Sequence, residues 1–119
     1  MSRETQDVGA FGEQRAARYL VRQGMAVLDR NWRGDAGEVD LIVRDGDALV
    51  FVEVKTRRSH RFGAPVEAVV PAKVRRMRRL AAQWLAASRV RPSEVRFDVV
   101  SVLPQRTGEP RIEHIRAAF

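Results

Sequence analysis

A chain of 119 residues can remove about two-thirds of its unfolded surface from water, so it holds a core without covalent staples. It has no cysteine, which excludes disulfides, thiol catalysis and cysteine-ligated zinc, and two distant histidines, His60 and His114, cannot by themselves make a zinc site. The net charge of +7 is concentrated, because residues 56 to 80 carry eight cations against Glu67 alone, so a polyanion would meet one basic region. The polar N-terminus and strand-sized apolar runs give no sign of a signal peptide or membrane span, and a cytoplasmic, single-domain protein is expected over residues 1–119.

Residues 7 to 23 read as a helix, with Asp7 as N-cap and Gly24 as the stop. At 100° per residue, Gly9, Gly12, Ala16, Ala17 and Leu20 share a face with Glu13, while Arg15, Arg18 and Arg22 lie opposite. Glu13 therefore faces inward, where a carboxylate costs free energy unless something compensates it. The plainer explanation is a first-turn Glu favoured by the helix dipole.

Ala26–Arg33, Glu38–Arg44 and Ala48–Lys55 suit three strands, with Asp45-Gly46-Asp47 as the turn between the last two. A two-residue loop at Asp45-Gly46 would pair Glu38 with Glu53 and set Asp40 diagonal to it, whereas a four-residue loop would set Asp40 directly opposite Glu53. A three-residue loop would split the two carboxylates. Ala48 to Val52 is almost wholly apolar, as in a strand covered on both sides. Beyond it Glu53 and Lys55 share one face, and Val50, Val52 and Val54 take the other. A carboxylate at that point must be paired, metal-bound or at a cleft; the bland alternative is an exposed Glu–Lys pair on a sheet edge.

Lysine usage sharpens the reading. Of 22 basic residues only Lys55 and Lys73 are Lys, so the composition drifts to Arg wherever any cation will serve. An ammonium is a compact point charge that can sit beside a carboxylate and hold a water or a phosphate oxygen, which a planar guanidinium does less well.

Residues 56 to 65 read as a basic loop closing in Phe62-Gly63-Ala64-Pro65, and Pro71 begins a second helix running to about Ser88. Val74, Met77, Leu80, Ala81, Trp84 and Leu85 form its apolar stripe, and Arg75, Arg76 and Arg79 line the opposite side. Lys73 falls at the stripe's margin, where its stem could lie along the core and lift the ammonium toward the site; an ordinary snorkelling lysine is the alternative. Arg96–Val102 alternates as a fourth strand and Arg111–Ile115 supplies a fifth. The order α-β-β-β-α-β-β implies an α/β protein with a mixed sheet and helical cover.

The acidic and basic residues together suit phosphodiester hydrolysis. That reaction needs a cation against charge building on the phosphate, and a positioned water. Asp40 and Glu53, with the Val54 carbonyl, can supply oxygens to Mg²⁺, for which Mn²⁺ is a substitute. Lys55 can hold the water or a phosphate oxygen, Glu13 can bind a metal water, and Glu38, of the same parity as Asp40, is a reserve ligand.

This set resembles the PD-(D/E)xK nuclease superfamily, in which a leading helix carries a Glu, one strand an Asp and the next an (Asp/Glu)-x-Lys. More closely, Gly12-Glu13, Gly37-Glu38-Val39-Asp40-Leu41-Ile42, Phe51-Val52-Glu53-Val54-Lys55, Phe62-Gly63-x-Pro65, Lys73 and Arg96-Phe97-Asp98-Val99-Val100 resemble the YraN-like family over almost the whole chain. The departure is Val39 before Asp40, where the superfamily commonly has Pro. The resemblance implies a restriction-endonuclease-like fold and a metal-dependent DNA endonuclease, acting on branched or structured DNA in the manner of Holliday-junction resolvases. Glu13, Asp40, Glu53 and Lys55 would be its catalytic centre. Backbone phosphates are expected on Arg57, Arg58, Arg61, Lys73, Arg75, Arg76 and Arg79. The alternative is a nucleic-acid-binding accessory protein with a vestigial site, and a homodimer is compatible with cutting two strands.

Overall fold

Strands form from the apolar runs and helices from the two stripes of period 3.6 in the computed structural model of the chain, which describes residues 3–57 and 70–119. The elements are α1 (Arg3–Arg22), β1 (Ala26–Gly34), β2 (Gly37–Asp45), β3 (Ala48–Thr56), α2 (Pro71–Ala87), β4 (Glu94–Leu103) and β5 (Arg111–Ile115). Their order in the sheet follows the chain, β1-β2-β3-β4-β5. The β3–β4 pair is parallel and the other three are antiparallel. A parallel neighbour cannot be reached through a tight turn, and α2 lies in the crossover that joins these two strands. The result is the mixed α/β, restriction-endonuclease-like arrangement that the sequence implies.

Strand ends lie within two residues of expectation, and two differences bear on the arrangement. Helix α1 begins at Arg3, so Asp7 lies inside it and is not its N-cap. Residues 3 to 6 contain neither Gly nor Pro, and nothing in the sequence stops the helix from extending back a further turn. The other end is as expected: Gly24 has φ 95°, Met25 N–H bonds Leu20 O at 3.0 Å, and Gly24 N–H bonds Val21 O at 3.0 Å. That is the left-handed glycine stop in which the last carbonyls find donors. The second difference is the β2–β3 turn. Asp45 pairs with Ala48, so the loop is Gly46-Asp47, one residue later than a loop at Asp45-Gly46. The ladder thereby takes the register that the four-residue count gives.

Helices α1 and α2 cover opposite faces of the sheet. Ala16, Ala17 and Leu20 of α1 pack with Leu41, Val43, Val50, Val52, Val100 and Val102. Met77, Leu80, Ala81 and Trp84 of α2 pack with Ile42, Leu49, Phe51 and Phe97. Strand β3 is central and buried on both faces, which explains its unbroken apolar run. The aromatics serve this packing: Phe51 meets Trp84 edge-on at 6.2 Å, and Phe97 stacks on Phe119 at 5.8 Å. Among the described residues, no helix is long and apolar enough to cross a membrane.

One charge lies in the sheet interior. Asp98 of β4 is fully buried, and its carboxylate accepts from Arg96 Nε at 2.9 Å, from the Ala117 amide at 3.0 Å and from His114 Nε2 at 2.7 Å. His114 Nδ1 lies 3.2 Å from Tyr19 Oη, so the tautomer with its proton on Nε2 satisfies both contacts. Arg96 also reaches Asp45 at 3.0 Å, tying the β2–β3 turn to the same cluster. Burial alone would push the Asp98 carboxyl up, but the bonds from His114, Arg96 and the Ala117 amide outweigh it and hold the carboxyl below its ordinary value.

A carboxyl lowered in the folded state stabilises the protein fully above its unfolded value of 3.8, and the effect is lost as pH falls through the lower, folded value. Asp98→Asn should therefore destabilise the protein by about 3–5 kcal/mol at neutral pH, because it leaves Arg96 without its buried partner. Urea unfolding of both proteins should show the gap closing below about pH 4. A gap independent of pH would refute the assignment.

Candidate active site

Besides the register shift between Val27 and Asp29 of β1, the alternation of side chains is lost at a place that β1 and β2 share. Leu41 and Val43 belong to the α1-side core and Ile42 to the α2 side, as alternation demands, yet Val39 also belongs to the α2 side. The register runs Arg30↔Leu41 and then Trp32↔Val39, which sets Asn31 opposite Asp40. Asn31 has φ 49°, in the left-handed region that Asn tolerates better than most residues. Continuing the β2–β3 register from Leu41↔Val52 sets Asp40 across from Glu53. There Asp40 Oδ2 accepts the Val54 amide at 2.8 Å, a side chain standing in for a ladder bond.

Glu13 is brought to this break by a close approach of α1 to the end of β3. A Cβ on Gly12 would lie 1.7 Å from Thr56 Oγ1 and 3.0 Å from Thr56 Cβ, so only glycine lets the helix come so near. Glu13, next in sequence, accepts a hydrogen bond from the Asn31 side chain. Glu13, Glu38 and Asp40 each offer a carboxylate oxygen, and the three atoms lie within 4.8 Å of one another. Ligands on opposite sides of a magnesium ion stand about 4.2 Å apart, twice its 2.0–2.1 Å bond, so this donor set fits a hard divalent cation after small side-chain adjustments. A cavity of about 70 Å³ opens beside it, lined by Glu38, Val39, Asp40, Val52, Glu53, Arg76 and Met77, with room for a few water-sized groups.

Glu53 has a different environment. Its Oε1 lies 3.1 Å from Lys55 Nζ and its Oε2 lies 2.5 Å from Lys73 Nζ, so both lysines of the chain meet at one carboxylate. Oε2 is buried from water and has no well-aligned hydrogen bond, so its contact with Lys73 is ionic rather than directional. Val54 turns its side chain to the α1-side core, as its parity requires.

The acids repel one another. Burial pushes the Asp40 carboxyl up to about 6, against the opposing effect of the Val54 amide, and the charges of Glu13, Glu53 and Glu38 push it the same way. Burial also raises Glu13, with Asn31 opposing and Glu38 reinforcing. A cation among these oxygens would reverse both shifts.

Of the residues expected to meet phosphates, Arg75, Arg76 and Arg79 are exposed on α2, but Arg76 lines the cavity beside the carboxylates instead of lying opposite the apolar stripe, and Arg79 is paired with Asp35 at 2.9 Å. Arg57 is half-buried beyond the end of β3, its amide bonded to Val102 O at 3.0 Å. Arg58, Arg61 and the Phe62-Gly63-x-Pro65 motif lie outside the described residues. Lys73, read both as a phosphate contact and as a stripe-margin residue that could lift its ammonium toward the site, has its ammonium at Glu53. The site also includes Asn31, which sequence reasoning did not single out; its one signal is a polar, strand-averse residue in the middle of a strand.

The family model described as Uncharacterised protein family UPF0102 matches residues 12–102, a span that runs from Gly12 through β4. The chain belongs to the UPF0102 family. This is the family whose YraN-like motifs the sequence resembles. Among its curated relatives, the UPF0102 protein of Rhodococcus opacus is 55% identical over 112 residues, covering 94% of this chain and 95% of that protein. That of Frankia alni is 56% identical over 112 residues, covering 94% and 93%. The Nocardioides UPF0102 protein is 51% identical over 111 residues, covering 93% and 90%.

The raised Asp40 value has a consequence for stability in this UPF0102 protein. The folded chain holds that proton more tightly than the unfolded one, so folding loses stability as pH rises from the ordinary carboxylate value of 3.8 to about 6. Asp40→Asn keeps an acceptor for the Val54 amide and removes the charge. In EDTA at pH 7.5 it should be more stable than the wild type by on the order of 1–3 kcal/mol. Excess Mg²⁺ should raise the melting temperature of the wild type and leave that of the variant nearly unchanged. A variant less stable than the wild type in EDTA would contradict the repulsion.

Proposed function

We propose that this protein is a Mg²⁺-dependent endonuclease that hydrolyses phosphodiester bonds in DNA, with branched or structured DNA as its substrate class. The observation that carries the reading is the convergence of Glu13, Glu38 and Asp40 next to a carboxylate that holds Lys55. Such a donor set binds Mg²⁺ or Mn²⁺, which when bound stabilises the charge that grows on the phosphate and on the leaving oxygen. Glu13, Glu38 and Asp40 would be its protein ligands.

The chain's own groups supply the rest. Lys55, held at 3.1 Å from Glu53, presents an ammonium that orients a water or a non-bridging phosphate oxygen. Attack of that water on phosphorus forms one P–O bond and breaks another, giving a phosphate monoester and a free hydroxyl. The proton that the water gives up passes through solvent to the leaving oxygen, which departs as that hydroxyl. Helix α2 contributes Arg75 and Arg76, which have no ion pair among the described residues, as contacts for backbone phosphates, Arg76 from the wall of the cavity itself.

Incubation with linear, flapped and four-way DNA in Mg²⁺ or Mn²⁺ tests the reaction. Cleavage is expected from the wild type and should fall at least 100-fold in Lys55→Ala and Asp40→Asn, with DNA binding in EDTA retained. Binding without cleavage under all these conditions would favour an accessory role. The DNA face has a separate measure. Arg75→Ala and Arg76→Ala should each reduce the slope of log affinity against log salt by about one unit, and unchanged slopes would remove α2 from the DNA surface.

A further inference from the structure

We propose that Lys73 is a positioning residue: from α2 it fixes the Glu53 carboxylate, which in turn holds the Lys55 ammonium where the phosphodiester is attacked. This rests on the nuclease reading for the role of Lys55, but the mechanical link from Lys73 through Glu53 to Lys55 stands on geometry alone.

Four observations converge on it. First, this chain writes Arg at 20 of its 22 basic positions, and α2 itself carries Arg75, Arg76, Arg78 and Arg79 within two turns of Lys73. The exception on that helix is the side chain paired with Glu53. A branched, planar guanidinium is a poor fit where a single point charge must meet one carboxylate oxygen. Second, Lys73 sits in the first turn of α2, where the Lys73 and Val74 amides bond Val70 O at 3.0 and 3.1 Å. The helix dipole disfavours a cation at that end, and neither an acidic residue nor a side-chain cap is present to offset it within the helix. The compensating anion comes from β3 instead.

Third, the Lys73 side chain is 12% exposed and that of Lys55 32% exposed, so the residue on α2 is the more enclosed of the two. A lysine whose task was to meet DNA backbone would have the opposite ranking. Fourth, the two ammoniums take different oxygens of Glu53, Lys73 at Oε2 and Lys55 at Oε1. A carboxylate gripped at both ends cannot rotate about its last bond without breaking one contact. With Lys73 removed, the buried Oε2 loses the ammonium paired with it, Glu53 turns, and Lys55 loses its fixed partner.

Because Lys55 and Lys73 are the only lysines, protein grown with ¹⁵N-lysine carries just two side-chain ammonium groups, and their spectrum can be read without DNA or metal. Glu53→Gln should shift both signals and speed their exchange with water. Lys73→Met should leave a single signal, that of Lys55, displaced from its wild-type position; Lys73→Gln replaces the Met variant if the latter does not fold. A Lys55 signal that stays in place when Lys73 is replaced would overturn the proposal. In cleavage assays Lys73→Met should lower kcat on the order of 10–100-fold with KM within about twofold, and Lys73→Arg, which keeps a cation at Oε2, should recover part of that loss. A raised KM at unchanged kcat would make Lys73 a DNA contact and reject the positioning role. Should neither wild type nor variants cut DNA, the nuclease reading fails, while the ammonium spectra still decide whether Lys73 controls Lys55.

Discussion

The paired break in strand alternation at Asn31 and Asp40 is the constraint on which the arrangement of the site depends. Alternation continued from Leu41 would send both Asp40 and Glu38 to the α2 face, away from α1. Because both strands lose their alternation here, with Asn31 in a left-handed conformation, the Glu38 and Asp40 carboxylates come together with Glu13 of α1. Glycine at position 12 then sets how near α1 can come, and Glu13 follows it into contact with Asn31. Local backbone strain at a functional centre persists when its surroundings over-determine it. Here the surroundings are two hydrophobic layers that bury the strands on both faces.

Those layers let the molecule tolerate repulsion among Glu13, Glu38, Asp40 and Glu53. Charges are sorted within the sheet: Asp98 is saturated with donors and strengthens the β4–β5 side, whereas Asp40 has one amide and several like-charged neighbours. Both arrangements use the same residue type, and what differs is the supply of donors. Asp98 meets a guanidinium, an imidazole and an amide, and Asp40 meets the Val54 amide among like-charged neighbours.

The sequence carried the element order, the mixed sheet and the two-faced burial of β3, because each follows from apolar period and run length. The inward direction of Glu13 and the shared face of Glu53 and Lys55 were legible for the same reason. What polarity patterns do not encode is a break in the pattern itself. The left-handed φ of Asn31 leaves no mark except an awkward residue in a strand, and the one-residue displacement of the β2–β3 turn depends on whether Asp45 or Gly46 takes the first loop position. Glu38 was readable as a spare ligand but not as a neighbour of Glu13, since that proximity comes from the lost alternation. Lys73 was legible at the margin of a helical stripe with an ammonium that could lift toward the site, but that Glu53 is its partner depends on how α2 packs over β3, and no local rule gives that.

Glu13 arrives from the helix on one face of the sheet and Lys73 from the helix on the other, with Asp40 and Glu53 between them on adjacent strands. The separation of acid and ammonium groups is thus measured by the thickness of the sandwich, a dimension that close packing holds nearly constant. Surface connections can lengthen, shorten or change composition without altering that gauge. Variation in what the protein grips is accordingly decoupled from the chemistry it would perform there, and the scaffold is free to acquire new contact surfaces while its reactive span stays the same.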